Sequence, residues 1–146
     1  MKTYLQNFFI TLIFSTILAF LPSTSQAHSS PIGYWQTYDL HHNPRNIVKL
    51  RIVGNELIGT LSTQTTGLCN ACKAQLHNHP LKGMRIIWGL KQNGKAWESG
   101  NVLDIDSGKI YHCKVAVSED GKMLYFTPYV GSPWLGPTIN WNRVNN

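Results

Sequence analysis

The feature that most constrains the fold is a hydrophobic pattern that repeats every second residue. Apolar and polar side chains alternate in residues 48–53, 57–62 and 111–118, which is typical of β-strands with one buried face and one wet face. Dipeptides that favour tight hairpin turns separate the runs, namely Gly54-Asn55, Asn93-Gly94, Ser107-Gly108 and Asp120-Gly121. The pattern predicts eight strands, over residues 33–39, 46–53, 56–63, 84–91, 96–104, 109–118, 123–130 and 138–144.

Eight sequential strands joined by tight turns predict an all-β fold, a single antiparallel up-and-down β-barrel over residues 28–146. Closure into a barrel removes the free sheet edges that promote aggregation. One connection is too long for a hairpin, because residues 65–83 join strands 3 and 4. Loops of this length inside a domain are usually functional or disordered.

Residues 1–27 have the three-part organisation of a secretory signal peptide. Lys2 precedes an apolar run from Phe8 to Leu21, and Ser25-Gln26-Ala27 places small residues where a signal peptidase reads. Cleavage after Ala27 would give a periplasmic or secreted protein. A membrane anchor is the alternative, but the run is shorter than the roughly 20 residues that a spanning helix needs. No transmembrane segment is expected in the mature chain.

The three cysteines define a second group of candidate residues. Behind a signal peptide, the Cys69-x-x-Cys72 pair favours a disulfide. Cys113 lies in an alternating run and is interpreted as a small buried hydrophobe, although pairing with Cys69 or Cys72 is an alternative. A weaker alternative is a tetrahedral zinc site formed by Cys69, Cys72, His77 and His79. No cofactor is expected.

Residues suited to catalysis are few. Asp104 and Asp106 form a close pair of acids, and their place beside Ser107-Gly108 favours a turn-forming role. The sequence has neither a Gly-x-Ser-x-Gly nucleophile motif nor a glycine-rich phosphate loop, so an enzyme is not expected. His41-His42, beside a proline in a turn, is interpreted as solvated.

The net charge and the distribution of the cations indicate which anionic partners are expected. The formal charge is +6, and a basic excess attracts anionic surfaces. The cations are dispersed, with no three in succession, so nucleic acid is not an expected partner. An anionic envelope surface is a candidate partner.

The interior of an eight-stranded barrel is either filled by side chains or holds one small ligand. Large rings are abundant here, with five Trp, six Tyr and five Phe in the chain, and aromatic side chains suit both roles. The hypothesis is a pocket under the long loop, lined by Trp88, Tyr111 and Phe126. The alternative is that these rings fill the barrel.

Several motifs resemble a bacterial secreted family known as domain of unknown function 2147. They are Pro31-Ile32-Gly33-Tyr34-Trp35, Cys69-Asn70-Ala71-Cys72-Lys73, Met84-Arg85-Ile86-Ile87-Trp88-Gly89-Leu90, Trp97-Glu98-Ser99-Gly100 and Leu135-Gly136-Pro137-Thr138. The resemblance implies a lipocalin-like β-barrel of the calycin type and an envelope location, and it implies no established activity. His77-Asn78-His79 departs from the family, whose loop is richer in Lys.

The start of the first strand also resembles lipocalins, which carry a Gly-x-Trp motif there. Gly33 and Trp35 have this spacing. In lipocalins an Arg from the last strand covers the Trp ring, and Arg143 lies in the last predicted strand. The resemblance therefore implies that Gly33, Trp35 and Arg143 close the narrow end of the barrel in a structural role.

Together these observations predict a periplasmic or secreted module that binds a small apolar or amphipathic ligand. An envelope structural or interaction protein with a filled barrel is the main alternative. A metal-binding protein centred on the Cys/His loop is the third hypothesis.

Overall fold

The computed structural model describes residues 29–62 and 64–145. The expected signal peptide and its cleavage after Ala27 lie outside the described residues. Within the described ranges, no helix has the length and apolar character needed to cross a membrane.

The described residues form eight strands and two short 3-10 turns. The strands are β1 (Gly33–Tyr38), β2 (Pro44–Val53), β3 (Glu56–Leu61), β4 (Arg85–Asn93), β5 (Ala96–Leu103), β6 (Ile110–Val117), β7 (Met123–Tyr129) and β8 (Ile139–Val144). The 3-10 turns cover Ala74–Leu76 and Pro133–Leu135. Each strand pairs antiparallel with the next, and β8 returns to pair with β1, so the barrel is closed. The predicted all-β, eight-stranded up-and-down barrel is confirmed.

This topology gives the barrel two unlike ends. The β2–β3, β4–β5 and β6–β7 turns lie at one end together with the chain before β1, and we call this the closed end. Its turns are short, and Gly54 and Gly94 adopt positive φ angles of 59° and 60°, which two-residue hairpins require. The other four connections, residues 39–43, 62–84, 104–109 and 130–138, have at least five residues each and surround what we call the mouth.

The core occupies the closed half of the barrel and extends into the connection between β3 and β4. Its fully buried members include Trp35, Leu50, Leu57, Leu90 and Leu124. Gly100 lies directly against Leu90, so a Cβ at this position would overlap the leucine side chain. The small residue on β5 thus lets a large one on β4 reach the barrel axis.

Candidate functional site

The open half of the barrel contains a cavity of about 620 Å³ that leads to the mouth. The strands supply an apolar wall that includes Val48, Leu61, Ile86, Val102, Leu103, Phe126, Ile139 and Trp141. Phe126 and Trp141 stack with their ring centroids 4.4 Å apart and an interplanar angle of 22°. Alternation along β7 and β8 turns these two rings inward, where they form part of the apolar wall.

Charged groups occur only at the mouth end of this lining. They are Asp39, Arg45, Asp104 and Asp106, which lie in the mouth connections or at the start of β2. The cavity thus has an apolar interior and a polar entrance. Such a combination suits a molecule with an apolar body and one polar end.

An ion pair spans the mouth. Arg45 Nη2 donates to Asp106 Oδ2, although the two residues are 61 positions apart in the chain. β3 and β4 separate β2 from the β5–β6 connection around the barrel, so the pair joins distant parts of the mouth. Both side chains are exposed, at 42% and 64%, and an exposed pair of this kind contributes about 0–1 kcal/mol to stability. It can therefore open at little cost.

The β1–β2 connection is organised by one carboxylate. Asp39 accepts hydrogen bonds from the backbone N–H groups of His41 and Asn43, at 2.8 and 2.9 Å, and from the Asn43 side chain. The Asn43 side-chain hydrogen bond is the main cause that lowers the pKa of Asp39 below its ordinary value. His41 and His42 are exposed in this turn.

Asp104 forms a turn in the β5–β6 connection, since it accepts hydrogen bonds from the Asp106 backbone N–H and the Ser107 hydroxyl. Asp106 instead faces Arg45. The two acids that the sequence pairs in a turn therefore have different partners. The cross-mouth contact depends on the closed topology, which brings distant residues together.

Of the three rings expected to line the pocket, Tyr111 and Phe126 line the cavity and Trp88 does not. Trp88 stands in register with Asn101, which in turn pairs with the exposed His112. Cross-strand neighbours share one face of a sheet, so Trp88 lies on the outer face. Assigning it to the pocket was wrong for this reason.

The long β3–β4 connection also differs from its expected place, because none of its described residues lines the cavity. It folds on itself instead. An isolated bridge joins Leu68 to Pro80, and the Cys69 N–H donates to the His79 carbonyl at 2.9 Å. It also packs beside the β5–β6 connection, where Gly108 lies against the Ala71 carbonyl so closely that a Cβ would overlap it.

Cys69 and Cys72 form the expected disulfide, with their Cα atoms 5.3 Å apart. Both are buried and belong to the hydrophobic core cluster. The bond occupies both sulfur atoms, which removes the two thiolates that a zinc site would need. Among the described residues, no group of three His, Cys, Asp or Glu side chains is placed to hold a metal ion. The geometry does not support the zinc alternative.

Cys113 is a free and fully buried cysteine on β6. Burial raises the pKa of its thiol to about 12. The thiolate is the reactive form of cysteine, so this side chain acts as a small apolar group.

The closed end contains a clasp formed by Trp35 and Arg143. The Arg143 guanidinium carbon lies 4.2 Å from the centroid of the Trp35 ring. Its three nitrogens donate to the carbonyls of Ser30, Ile32 and Gly121, at 2.6, 2.8 and 2.6 Å. These bonds tie the chain before β1 to the β6–β7 turn. The contacts agree with the expected placement of Trp35 and Arg143 side by side, and their structural role stays a prediction.

Two features of the site have no signal in the sequence. One is the Arg45–Asp106 pair, whose partners belong to unrelated motifs. The other is the indole Nε1 of Trp141, which is buried and has no hydrogen-bond partner among the described residues. Alternation predicts that Trp141 points inward, but it does not predict whether an N–H finds an acceptor.

The fold has a solved counterpart. Protein HP1028 from the human pathogen Helicobacter pylori, which is described as belonging to the lipocalin family, matches with a TM-score of 0.70 and 20% sequence identity. The match covers 80% of this chain and 84% of that one. At this identity the likeness shows a shared lipocalin-like fold. None of the curated proteins matches this sequence.

The sequence also matches a family profile over residues 33–143, which run from Gly33 of the closed end to Arg143 of β8. This range includes all of β1 to β7 and most of β8. The family is described as an uncharacterized protein conserved in bacteria. The chain therefore belongs to the DUF2147 family.

Proposed function

We propose that this protein binds one small apolar or amphipathic molecule in the cavity at the barrel mouth. The observation that carries the proposal is the cavity itself, whose volume of about 620 Å³ falls within the range of roughly 300–1,000 Å³ that small-molecule sites occupy. The interior of the cavity is apolar, so transfer of the apolar body of the ligand from water into it is favourable. The polar end of the ligand faces the charged groups at the entrance of the cavity.

The proposed location is the periplasm or the extracellular space. Two independent features support it. Residues 1–27 have the pattern of a secretory signal, and the Cys69–Cys72 disulfide is a type of bond that persists in oxidising compartments and is rare in the cytosol.

A saturable fluorescent probe tests the binding proposal. Anilinonaphthalene sulfonate is titrated into the protein, and unlabelled long-chain fatty acids are then used to displace it. The test variant is Ile139→Trp, because Ile139 lines the cavity and the larger ring would occupy it. The matched control is Ile110→Trp, since Ile110 is 60% exposed and does not line the cavity.

We expect one-to-one binding that Ile139→Trp weakens about tenfold or more, the loss that corresponds to about 1.4 kcal/mol, whereas Ile110→Trp leaves it unchanged. Native mass spectrometry of protein purified from cells provides a second readout through any co-purifying molecule. A protein that binds neither the probe nor fatty acids, and that carries no extractable molecule, would contradict the proposal. The filled-barrel alternative would then account better for the fold.

A further inference from the structure

The mouth carries the most exposed apolar side chains of the described residues. Five large apolar side chains are at least 60% exposed: Trp134 (89%), Leu135 (80%), Val130 (73%), Leu40 (64%) and Ile110 (60%). All five belong to mouth connections or to the first residue of β6. Exposed apolar residues at the closed end, such as Ile32 and Val53, reach only 49% and 53%. Scattered apolar residues need no explanation, but a concentration at one end indicates an interaction surface.

Four of these residues lie in two connections of the mouth and form what we call the mouth rim, defined as Leu40, Val130, Trp134 and Leu135. Leu40 lies in the β1–β2 connection and the other three lie in the β7–β8 connection. Because β8 pairs with β1, these two connections are neighbours around the barrel. Three of the four also line the cavity, so apolar surface continues from the outside of the rim to the interior.

Two lysines without an ion-pair partner among the described residues lie near the rim, although Asp39 directly precedes Leu40 in the same connection. The Lys114 ammonium lies 5.4 Å from the centroid of the Trp134 ring, and Lys109 immediately precedes Ile110. The two ion pairs found among the described residues, Arg45–Asp106 and Lys91–Glu56, involve neither lysine. Exposed tryptophan suits the headgroup region of a bilayer, and unpaired lysines near a membrane are attracted to anionic lipids.

We propose that the mouth rim docks the barrel on an anionic lipid bilayer, so that an amphipathic ligand passes between the membrane and the cavity without crossing water. The identity of this cargo rests on the proposed function, whereas docking itself does not require an occupied cavity. The exposed indole of Trp134 with the Lys114 ammonium beside it favours a lipid surface as the occupant of the rim.

The test measures flotation of the protein with vesicles of phosphatidylcholine and phosphatidylglycerol. The protein is purified from cells that produce the full chain, and its intact mass establishes whether residues 1–27 are present, so all variants are compared with the same amino terminus. The main variant is Trp134→Ser, because Trp134 is exposed and does not line the cavity. Val53→Ser is the matched control, since it removes an exposed apolar side chain from the closed end.

We expect Trp134→Ser to lower the vesicle partition coefficient about tenfold, the effect of withdrawing one large apolar side chain from the membrane. Val53→Ser should leave it unchanged. Vesicles with brominated acyl chains should quench the emission of the wild-type protein more than that of Trp134→Ser, because Trp134 is the tryptophan that enters the lipid. Adding Leu40→Ser to Trp134→Ser should weaken partition further.

Equal partition of the wild-type protein, Trp134→Ser and Val53→Ser would overturn the docking proposal. Vesicle binding that is abolished by salt but is unaffected by Trp134→Ser would also overturn it. So would rim-dependent binding to a protein partner if the protein does not bind vesicles. Probe binding without vesicles is measured in parallel and reports on the cavity alone. Rim-dependent vesicle binding with an empty cavity would therefore refute the proposed cargo and leave docking intact. Cavity binding without vesicle binding would refute docking and leave the proposed ligand binding intact.

Discussion

Replacing Arg143 by methionine tests how the closed end is held together. The change keeps an unbranched side chain but deletes three hydrogen bonds to backbone carbonyls and the contact with the Trp35 ring. Two of the carbonyls belong to the exposed residues Ser30 and Ile32, where water can replace the lost donor. The third belongs to Gly121, which is half-buried in the β6–β7 turn.

The expected magnitude follows from these environments. A hydrogen bond to a charged group contributes about 1.5–3 kcal/mol, and ordinary intramolecular ones contribute about 1 kcal/mol or less. A cation over an indole adds about 0.5–2 kcal/mol. With the Gly121 bond at the lower end of the charged range and the exposed bonds discounted, Arg143→Met should lower the free energy of unfolding by about 3 kcal/mol. For a domain of this size, the melting temperature should fall by roughly 10 °C.

Thermal unfolding followed by circular dichroism measures this effect. Arg51→Met is the control, because Arg51 is an exposed cation on β2, and a change there should stay within about 0.5 kcal/mol. Gly33→Ala supplies a second test, since a Cβ at Gly33 would lie 2.6 Å from Arg143 Nη1. Its cost should be smaller when Arg143→Met has already removed that atom. Equal melting temperatures for the two arginine variants, or strict additivity with Gly33→Ala, would refute the clasp.

Four further predictions concern single positions. Trp35→Ala should cost about 3–5 kcal/mol because the ring is fully buried, whereas Trp134→Ala should cost less than about 0.5 kcal/mol. The reverse order of melting temperatures would contradict the placement of Trp35. Cys72→Ser should increase hydrogen exchange in residues 62–84. Because the disulfide closes a small ring, its loss should lower the free energy of unfolding by less than the roughly 3 kcal/mol expected for a 15-residue loop, and loss of the folded barrel would contradict this prediction. Asp106→Asn should raise both the association and the dissociation rate of a cavity ligand in stopped flow, because the cross-mouth ion pair is weakened, and unchanged rates would show that the pair is no barrier. The pKa of Asp39 is lower in the folded chain, so the hydrogen bonds of its loop stabilise the fold above the ordinary carboxyl pKa and lose this effect as the pH falls through the lower folded value. Nuclear magnetic resonance of the backbone amides that it holds should show this transition, and Asp39→Asn should abolish it.

The strands could be predicted because their signals are local. The expected strands around Asp120-Gly121 cover 109–118 and 123–130, and the structure has Ile110–Val117 and Met123–Tyr129. Period-two alternation and a hairpin turn both act within a few residues of the chain. Barrel closure, which requires β1 to meet β8, follows from the number of strands and from the resemblance to a known family.

The details of the site were harder to predict because they depend on register and on distant contacts. Alternation gives a strand two faces and does not say which is inner, so it could not show that Trp88 lies outside the pocket. Gly89, with a φ of 75°, interrupts the regular pairing of β4, and fully buried Ile87 and Leu90 flank this interruption. The Arg45–Asp106 pair joins the start of β2 to the β5–β6 connection, which come within reach of each other only in the closed barrel.

The two buried indoles of Trp35 and Trp141 differ in whether their N–H groups have a hydrogen-bond acceptor. At the closed end, Trp35 Nε1 donates to the Pro31 carbonyl at 2.8 Å, and Arg143 covers the ring. On the cavity wall, Trp141 Nε1 has no partner among the described residues, and an unsatisfied buried donor costs about 1–3 kcal/mol. Natural proteins retain such local costs mainly at functional sites. The difference between the two indoles supports the predicted structural role of Trp35 and the proposed binding role of the cavity.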